Sequence, residues 1–202
     1  MQELGSKLLD PRVRRTRALL HDALFELLRS RSFEDISLQD IAETATLNRA
    51  TVYAHCDDKY ALLANATTAK FNRLIEHRNV TFDGSCASAI RRIFVAVCDY
   101  IESVGTCDRD RMRPIDPHMA AAIVDTVRDV MSDGLSKRSG DAALPTDIVA
   151  AAAASAIYGA ARAWLALPER GSAEDVADAV TALVWPVVDP TPNAAFKSTA
   201  AS

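Results

Sequence analysis

Leucine and alanine recur along residues 19–28 at the spacing of one face of an α-helix. The stripe consists of Leu19, Leu20, Ala23, Leu24, Leu27 and Leu28. A repeat of three to four residues is typical of a helix with one buried side and predicts a first helix over about residues 12–31. Only seven glycines and eight prolines occur in 202 residues, which is few for the tight turns of a sandwich or barrel. The sequence therefore predicts an all-α fold.

Capping residues divide the next part of the chain into short helices. Ser37, with Asp40 three residues later, predicts the start of a second helix. Asn48 predicts the cap of a brief third helix over residues 49–55, and Asp58 lies at the start of a fourth that continues to about residue 78. A tight turn between the second and third helices predicts a helix-turn-helix whose third helix projects outward.

Longer and more apolar helices are predicted beyond residue 84. Their expected bounds are 85–104, 117–137, 145–167 and 173–188. Together they predict a second, bundle-like domain at the C-terminal side of the helix-turn-helix.

Basic residues are concentrated near the N-terminus although the chain carries a net charge of −4. Arg12, Arg14, Arg15 and Arg17 follow one another without an acidic residue among them. Such a local cluster can meet phosphate groups in spite of an acidic total.

No segment predicts secretion or a membrane span. The first fifteen residues lack the unbroken apolar stretch of a signal peptide. The longest uncharged apolar window covers residues 148–161, whereas a bilayer needs about 20 residues. We therefore expect a buried helix there and a cytoplasmic protein without a membrane partner.

The predicted third helix carries side chains suited to a DNA groove. Arg49 can donate two hydrogen bonds to guanine, Thr51 offers a hydroxyl and a methyl group, and Ala50 permits close approach to base edges. Tyr53 and His55 on the same helix, and Lys59 just beyond it, are donors that can reach phosphate oxygens. Such contacts fix the register without reading sequence.

The segments ISLQDIA at 36–42, NRATVYAH at 48–55 and DKYALL at 58–63 together resemble the DNA-binding domain of the TetR family of bacterial transcriptional regulators. The resemblance covers about residues 14–71. It implies base reading by Gln39, Arg49, Ala50 and Thr51, and phosphate contacts from Arg17, Ser37, Tyr53, His55 and Lys59. Two positions depart from the family pattern: Thr46 replaces the usual turn glycine, and Cys56 replaces an aromatic residue.

The resemblance also implies a C-terminal domain that binds a ligand and forms a dimer. Its predicted pocket residues are Phe94, Tyr100, Met112, His118, Met119, Tyr158 and Trp164. Its predicted dimer residues, mostly small side chains that permit close helix approach, are Ala152, Ser155, Ala156, Gly159, Ala160, Ala163, Val180 and Val184.

The predicted division of the chain follows from these assignments. It comprises a disordered leader (1–11), a helix-turn-helix DNA-binding domain (12–57), a linking helix (58–79), a ligand-binding and dimerisation domain (80–189) and a disordered tail (190–202). The expected function is that of a ligand-responsive repressor. We expect it to bind a near-palindromic DNA operator as a homodimer and to be released by a small apolar or amphipathic effector.

Three other functions are alternatives to this one. An enzyme is disfavoured because no catalytic motif or phosphate-binding glycine loop occurs, and no cofactor or metal is expected. A thiol or redox sensor of the same fold would use Cys86, Cys98 or Cys107, although Cys86 and Cys98 would lie roughly 18 Å apart on one helix and could not share an ion. A ligand-binding protein that has lost DNA binding is the third alternative.

Overall fold

The computed structural model describes residues 10–105, 116–138 and 144–189, and every regular element within them is an α-helix. The all-α prediction is therefore confirmed. The helices are α1 (Pro11–Leu28), α2 (Leu38–Thr44), α3 (Arg49–Tyr53), α4 (Lys59–His77), α5 (Ala87–Gly105), α6 (Asp116–Leu135), α7 (Thr146–Leu165) and α8 (Ala173–Val188). The predicted tail, nearly all of the predicted leader, Met112 and Cys107 lie outside the described residues.

Local capping explains where the first helix begins and ends. The Asp10 carboxylate accepts a hydrogen bond from the Arg12 N–H at 2.8 Å, and Pro11 occupies the first helical position, where its missing N–H has no cost. The helix ends three residues earlier than predicted, because the Arg29 N–H turns back to the carbonyls of Glu26 and Leu27. Most of the leucine stripe is buried, but Leu19 is 40% exposed, so its inclusion in the buried face was wrong.

The chain forms two compact units. Within the described residues, the first comprises 10–70 with 103–105 and 116–122, and the second comprises 71–102 with 123–138 and 144–189. The division passes through α4, α5 and α6, so each of these helices contributes residues to both units. The domain boundaries at residues 57 and 79 stay a prediction.

The first unit is built on α1, α2 and α3. Helix α2 packs on α1, and α3 packs on α2. Their shared core contains Leu20, Leu24, Phe33, Ile36, Ile41, Val52 and Leu63. Burying these side chains is the main force that holds short helices in place, since a five-residue helix is not stable alone.

In the second unit α7 packs on α8. The core includes Phe71 and Tyr100, whose rings meet edge to face with centroids 5.4 Å apart. The absence of a side chain at Gly134 lets the Phe82 backbone lie close to α6, since a Cβ at Gly134 would be 2.3 Å from the Phe82 carbonyl oxygen. Arg138 ties the end of α8 to the unit by donating to the Val188 carbonyl at 3.0 Å and to the Asp189 carboxylate at 2.8 Å.

By length and composition alone, α7 could cross a membrane. This is weak evidence, because core helices of soluble proteins pass the same test. A third of its apolar window is buried, so the expectation of a buried helix holds for one face only.

Candidate nucleic-acid interface

The start of α2 is fixed by the capping box that the sequence predicts. The Ser37 hydroxyl accepts from the Asp40 N–H at 3.1 Å, and the Asp40 carboxylate accepts from the Ser37 N–H at 2.8 Å. The Arg31 guanidinium also donates to Asp40 at 2.8 Å. The hydrogen bond from Arg31, followed by those from Ser37, holds the pKa of Asp40 well below its usual range. The Arg31 contact was not predicted, because nine residues separate the partners.

The turn between α2 and α3 closes with a Schellman motif. The Thr46 N–H donates to the Glu43 carbonyl at 3.0 Å, and the Leu47 N–H donates to the Ala42 carbonyl at 2.9 Å. This pairing needs a left-handed residue after the helix, a position usually filled by glycine. Thr46 occupies it with φ of 55°. The chain therefore keeps the glycine-type geometry and accepts strain at a β-branched residue.

Helix α3 presents one polar face outward. The Asn48 side chain accepts from the Ala50 N–H at 2.8 Å and caps the helix. Val52 is 0% exposed and holds the opposite face in the core. Arg49, Ala50 and Tyr53 are consequently exposed, and Thr51 is half-buried. The helix ends at Tyr53, two residues before the predicted end.

The Arg49 and Tyr53 side chains contact each other along α3. The guanidinium donates to the Tyr53 hydroxyl at 3.3 Å and lies 5.4 Å from the ring centroid. A cation over an aromatic face is favourable by about 0.5–1 kcal/mol at exposed sites. The contact restricts the arginine to fewer conformations on the exposed face.

His55 lies half-buried just after α3. Burial lowers its pKa, and the positive charge of Arg17 lowers it further. The imidazole is therefore mostly neutral at pH 7, in which form it still offers one N–H donor. Arg17 is also half-buried, so these two predicted phosphate contacts influence each other electrostatically.

Three other predicted DNA contacts have protein partners in this structure. Ser37 is engaged in the capping box, and the Gln39 amide donates to the Glu43 carboxylate at 2.7 Å. The Lys59 ammonium donates to three main-chain carbonyls of the turn before α2. The DNA roles of these residues stay predictions.

The predicted pocket residues are divided between the two units. Phe94, Tyr100 and Trp164 are buried and Tyr158 is half-buried, all in the second unit. His118 and Met119 belong to the first unit, and Met112 lies outside the described residues. The exposed His118 ring contacts Tyr60, with centroids 4.8 Å apart. The sequence also missed the Arg170 guanidinium, which lies 5.2 Å from the Trp164 ring centroid.

Most predicted dimer residues share an exposed side of α7. Ala152, Ser155, Gly159 and Ala163 are exposed, and Ala156 and Ala160 are half-buried. On α8, Val180 is half-buried, but Val184 is 1% exposed and packs in the core of its own unit. The exposed apolar residues of α8 are instead Leu183 and Val187.

The cysteines differ in reactivity. Burial raises the pKa of Cys56, and it raises that of Cys98 to about 12, so neither is a thiolate at neutral pH. Cys86 is exposed, and hydrogen bonding to Ser88 lowers its pKa. In the described ranges, no three side chains of the metal-ligating types His, Cys, Asp and Glu come together.

Residues 20–66 match the family model for bacterial regulatory proteins of the tetR family. No protein of curated function matches the sequence.

Three similar solved structures span nearly the whole fold. A TetR transcriptional regulator from Streptococcus agalactiae 2603V shares 19% identity, with 89% of this chain and 98% of that chain covered at a TM-score of 0.56. The TetR family repressor AlkX from Dietzia sp. strain DQ12-45-1b, implicated in biodegradation of n-alkanes, shares 19% identity, with coverage of 87% and 96% at 0.54. The dihydroxyacetone kinase operon activator DhaS shares 17% identity, with 86% and 96% covered at 0.56. At these identities the likeness establishes the fold.

The strain at Thr46 can be measured by substitution. Thr46→Gly should stabilise the chain by about 1 kcal/mol, because glycine has no Cβ to clash in the left-handed region, although its freer unfolded chain offsets part of the gain. Denaturant unfolding gives the difference. Thr46→Ala retains the Cβ and should give little or no gain.

Asn79 provides a matched control. It ends α4 in the same motif with φ of 50°, and asparagine tolerates this conformation better than threonine. Asn79→Gly should therefore stabilise less than Thr46→Gly. Equal gains at both positions would contradict a special strain at Thr46.

Proposed function

We propose that this chain, which belongs to the TetR family of bacterial regulatory proteins, is a ligand-responsive repressor acting in the cytoplasm. The family consists of DNA-binding transcriptional regulators, and the proposed function involves no enzymatic step. The chain binds a near-palindromic operator as a homodimer and leaves it when a small apolar or amphipathic effector binds. The observation that carries the proposal is the outward face of α3, which presents Arg49, Ala50 and Tyr53 on a helix-turn-helix.

Direct reading of bases requires a helix that fits the major groove and a side chain that can reach a base edge. Arg49 and Ala50 lie in the first turn of α3 and are exposed. The N-terminal part of a recognition helix is the part that contacts bases. Arg49 is thus placed to donate to guanine, while the small Ala50 lets the helix approach closely.

Selection of bound duplexes from a random pool tests this proposal first. The winner is then titrated against a scrambled duplex at about 0.15 M salt. We expect a near-palindrome bound at least about a thousandfold more tightly than the scrambled duplex. Failure to enrich any sequence, with folded protein free of copurified ligand, would favour the alternative of a ligand-binding protein without DNA binding.

Replacing Arg49 tests base reading at one position. Arg49→Ala should weaken binding to the selected duplex by about 1–3 kcal/mol and relax base preference at one position in each half-site. Competition titrations against single-base variants measure both effects. Arg92→Ala removes one exposed charge from α5 and is the control. Unchanged base preference in Arg49→Ala would refute guanine reading by this residue.

The neutral state of His55 predicts a pH dependence of DNA binding. A bound phosphate raises the pKa of a nearby imidazole, whereas burial and Arg17 lower it in the free chain. DNA binding therefore takes up a proton. The added affinity is fully present below the free-chain pKa and is lost as pH rises through the pKa of the complex.

Titration of the selected duplex between pH 5.5 and 7.5 at constant salt measures this coupling. Each unit of difference between the two pKa values gives up to a tenfold change in affinity. His55→Gln should flatten the profile, while His77→Gln, at the exposed end of α4, should not. A wild-type profile identical to that of His55→Gln would exclude a protonated His55 at the phosphate.

Homodimer formation is supported by the exposed side of α7 and α8. Small residues spaced three to four apart, Ala152, Ser155, Gly159 and Ala163, lie along α7. Leu183 on α8 is 73% exposed, and Val187 is also exposed. Exposed apolar residues on two helices that pack together favour an interface over a free face. Pairing α7 and α8 with those of a second copy would cover it.

Gly159 offers a clean test of the dimer. A Cβ at this position would meet no described atom within 4 Å, so Gly159→Glu creates no clash within the chain and favours the helix. We expect it to convert the dimer to monomer, as measured by sedimentation, while raising the thermal stability of the monomer. Ala121→Glu, an exposed position on α6, should leave the dimer intact. A dimeric Gly159→Glu protein would contradict this interface.

Repression and effector release form the last part of the proposal. Among similar solved structures, AlkX is described as a repressor and DhaS as an activator, so a promoter reporter carrying the selected operator decides the direction. We expect repression. The effector must prefer the conformation that does not bind DNA, since a ligand with equal affinity for both shifts nothing. The buried Phe94, Tyr100 and Trp164 support an apolar effector class.

A further inference from the structure

Lys59, the first residue of α4, has its ammonium group surrounded by main-chain oxygens. It donates to the Phe33 carbonyl at 2.8 Å and to the Glu34 and Ile36 carbonyls at 3.0 Å each. An ammonium group has three N–H donors and no acceptor. Each donor therefore has its own carbonyl, and none is left for a further strong hydrogen bond.

Each of the four carbonyls in the turn formed by residues 33–36 accepts a hydrogen bond from a cation, and the Phe33 carbonyl also accepts one from the Ile36 N–H at 3.2 Å. Lys59 takes three of them, and the Arg31 guanidinium donates to the fourth, that of Asp35. Phe33 and Ile36 are 0% and 1% exposed. The hydrogen bonds from Lys59 to the Phe33 and Ile36 carbonyls are partly buried, whereas Glu34 and Asp35 are exposed. Because a buried carbonyl without a partner is costly, loss of the Lys59 ammonium would cost most at Ile36.

The aromatic ring of Phe33 adds to the contact. The Lys59 nitrogen lies 4.7 Å from the Phe33 ring centroid and 5.9 Å from that of Tyr60. Lys59 therefore bonds the beginning of α4 to a turn that lies more than twenty residues earlier in the chain and directly precedes the Ser37 cap of α2.

We propose that Lys59 is a positioning residue, which fastens the start of α4 to the turn before α2 and so sets the orientation of the helix-turn-helix, instead of contacting a DNA phosphate. This inference rests on the proposed DNA-binding function for its consequence, although the contact itself does not. A phosphate could gain a hydrogen bond from Lys59 only if a carbonyl of the turn lost one. Loss of Lys59 then weakens DNA binding through misplacement of α2 and α3.

Salt dependence distinguishes the two roles. A lysine that neutralises a phosphate contributes about 0.9 unit to the slope of log affinity against log salt. A positioning lysine contributes nothing to that slope, but its loss loosens the DNA-free protein. The informative variant is Lys59→Met, which keeps the aliphatic length and removes the charge and all three donors.

The experiment compares full-length wild-type, Lys59→Met and Lys70→Met proteins. Lys70 also lies on α4, with its nitrogen 4.8 Å from the Phe25 ring centroid, and controls for loss of one charge over a ring. In Lys59→Met we expect faster amide exchange over residues 36–41, a lower unfolding midpoint and at least tenfold weaker operator binding with an unchanged salt slope. Lys70→Met should show no faster exchange over residues 36–41.

Two results would overturn the proposal. One is a slope reduced by about one unit in Lys59→Met, which would place a phosphate at Lys59 regardless of stability. The other is unchanged exchange and unchanged unfolding, which would mean that the turn does not need the ammonium. If wild-type protein selects no DNA sequence, the proposed function fails, while the exchange and unfolding results still decide the role of Lys59 in the fold.

Lys59→Arg keeps the test decisive if the methionine variant does not fold. Arginine binds phosphate at least as well as lysine, but its planar fork does not match three carbonyls that converge on one point. A positioning role predicts weaker operator binding and faster exchange over residues 36–41 in Lys59→Arg. Wild-type binding and exchange in this variant would overturn the proposal.

Discussion

Four consecutive carbonyl groups in the turn before α2 accept hydrogen bonds from two cations, and the proposed positioning of the helix-turn-helix depends on this contact. Lys59 reaches this turn from α4 and Arg31 from the end of α1. Arg31 also holds Asp40, which completes the cap of α2 with Ser37. Helices too short to be stable alone are thus fixed by charge-assisted hydrogen bonds at their ends and by Val52 and Ile41 in the core.

The turn between α2 and α3 holds one residue in an unfavourable backbone conformation. Thr46 lies in the left-handed region although a β-branched side chain disfavours it. The two hydrogen bonds of the Schellman motif and the burial of Ile41 and Val52 on either side favour this conformation. The turn that contains this strained residue leads directly into α3, whose exposed side carries Arg49 and Ala50.

The second unit combines a buried aromatic core with an exposed apolar side. Phe94, Tyr100 and Trp164 are buried, whereas the small residues of α7 and the side chains of Leu183 and Val187 face outward. Exposed apolar surface on two neighbouring helices is the physical basis of the proposed dimer. Helices α4, α5 and α6 contribute residues to both units, and in the proposed function this continuity is the route by which an effector would act on DNA binding.

Features governed by neighbouring residues were determined by the sequence alone. The Ser37 and Asp40 cap is confirmed, and α8 has the predicted bounds of Ala173–Val188, because caps and helical periodicity act within a few residues. Contacts between distant residues were decided by tertiary structure. The three carbonyls around Lys59 lie 23 to 26 residues away in the chain. Likewise, Val184 and Leu183 are adjacent apolar residues, and only the packing of α8 on α7 buries one and exposes the other.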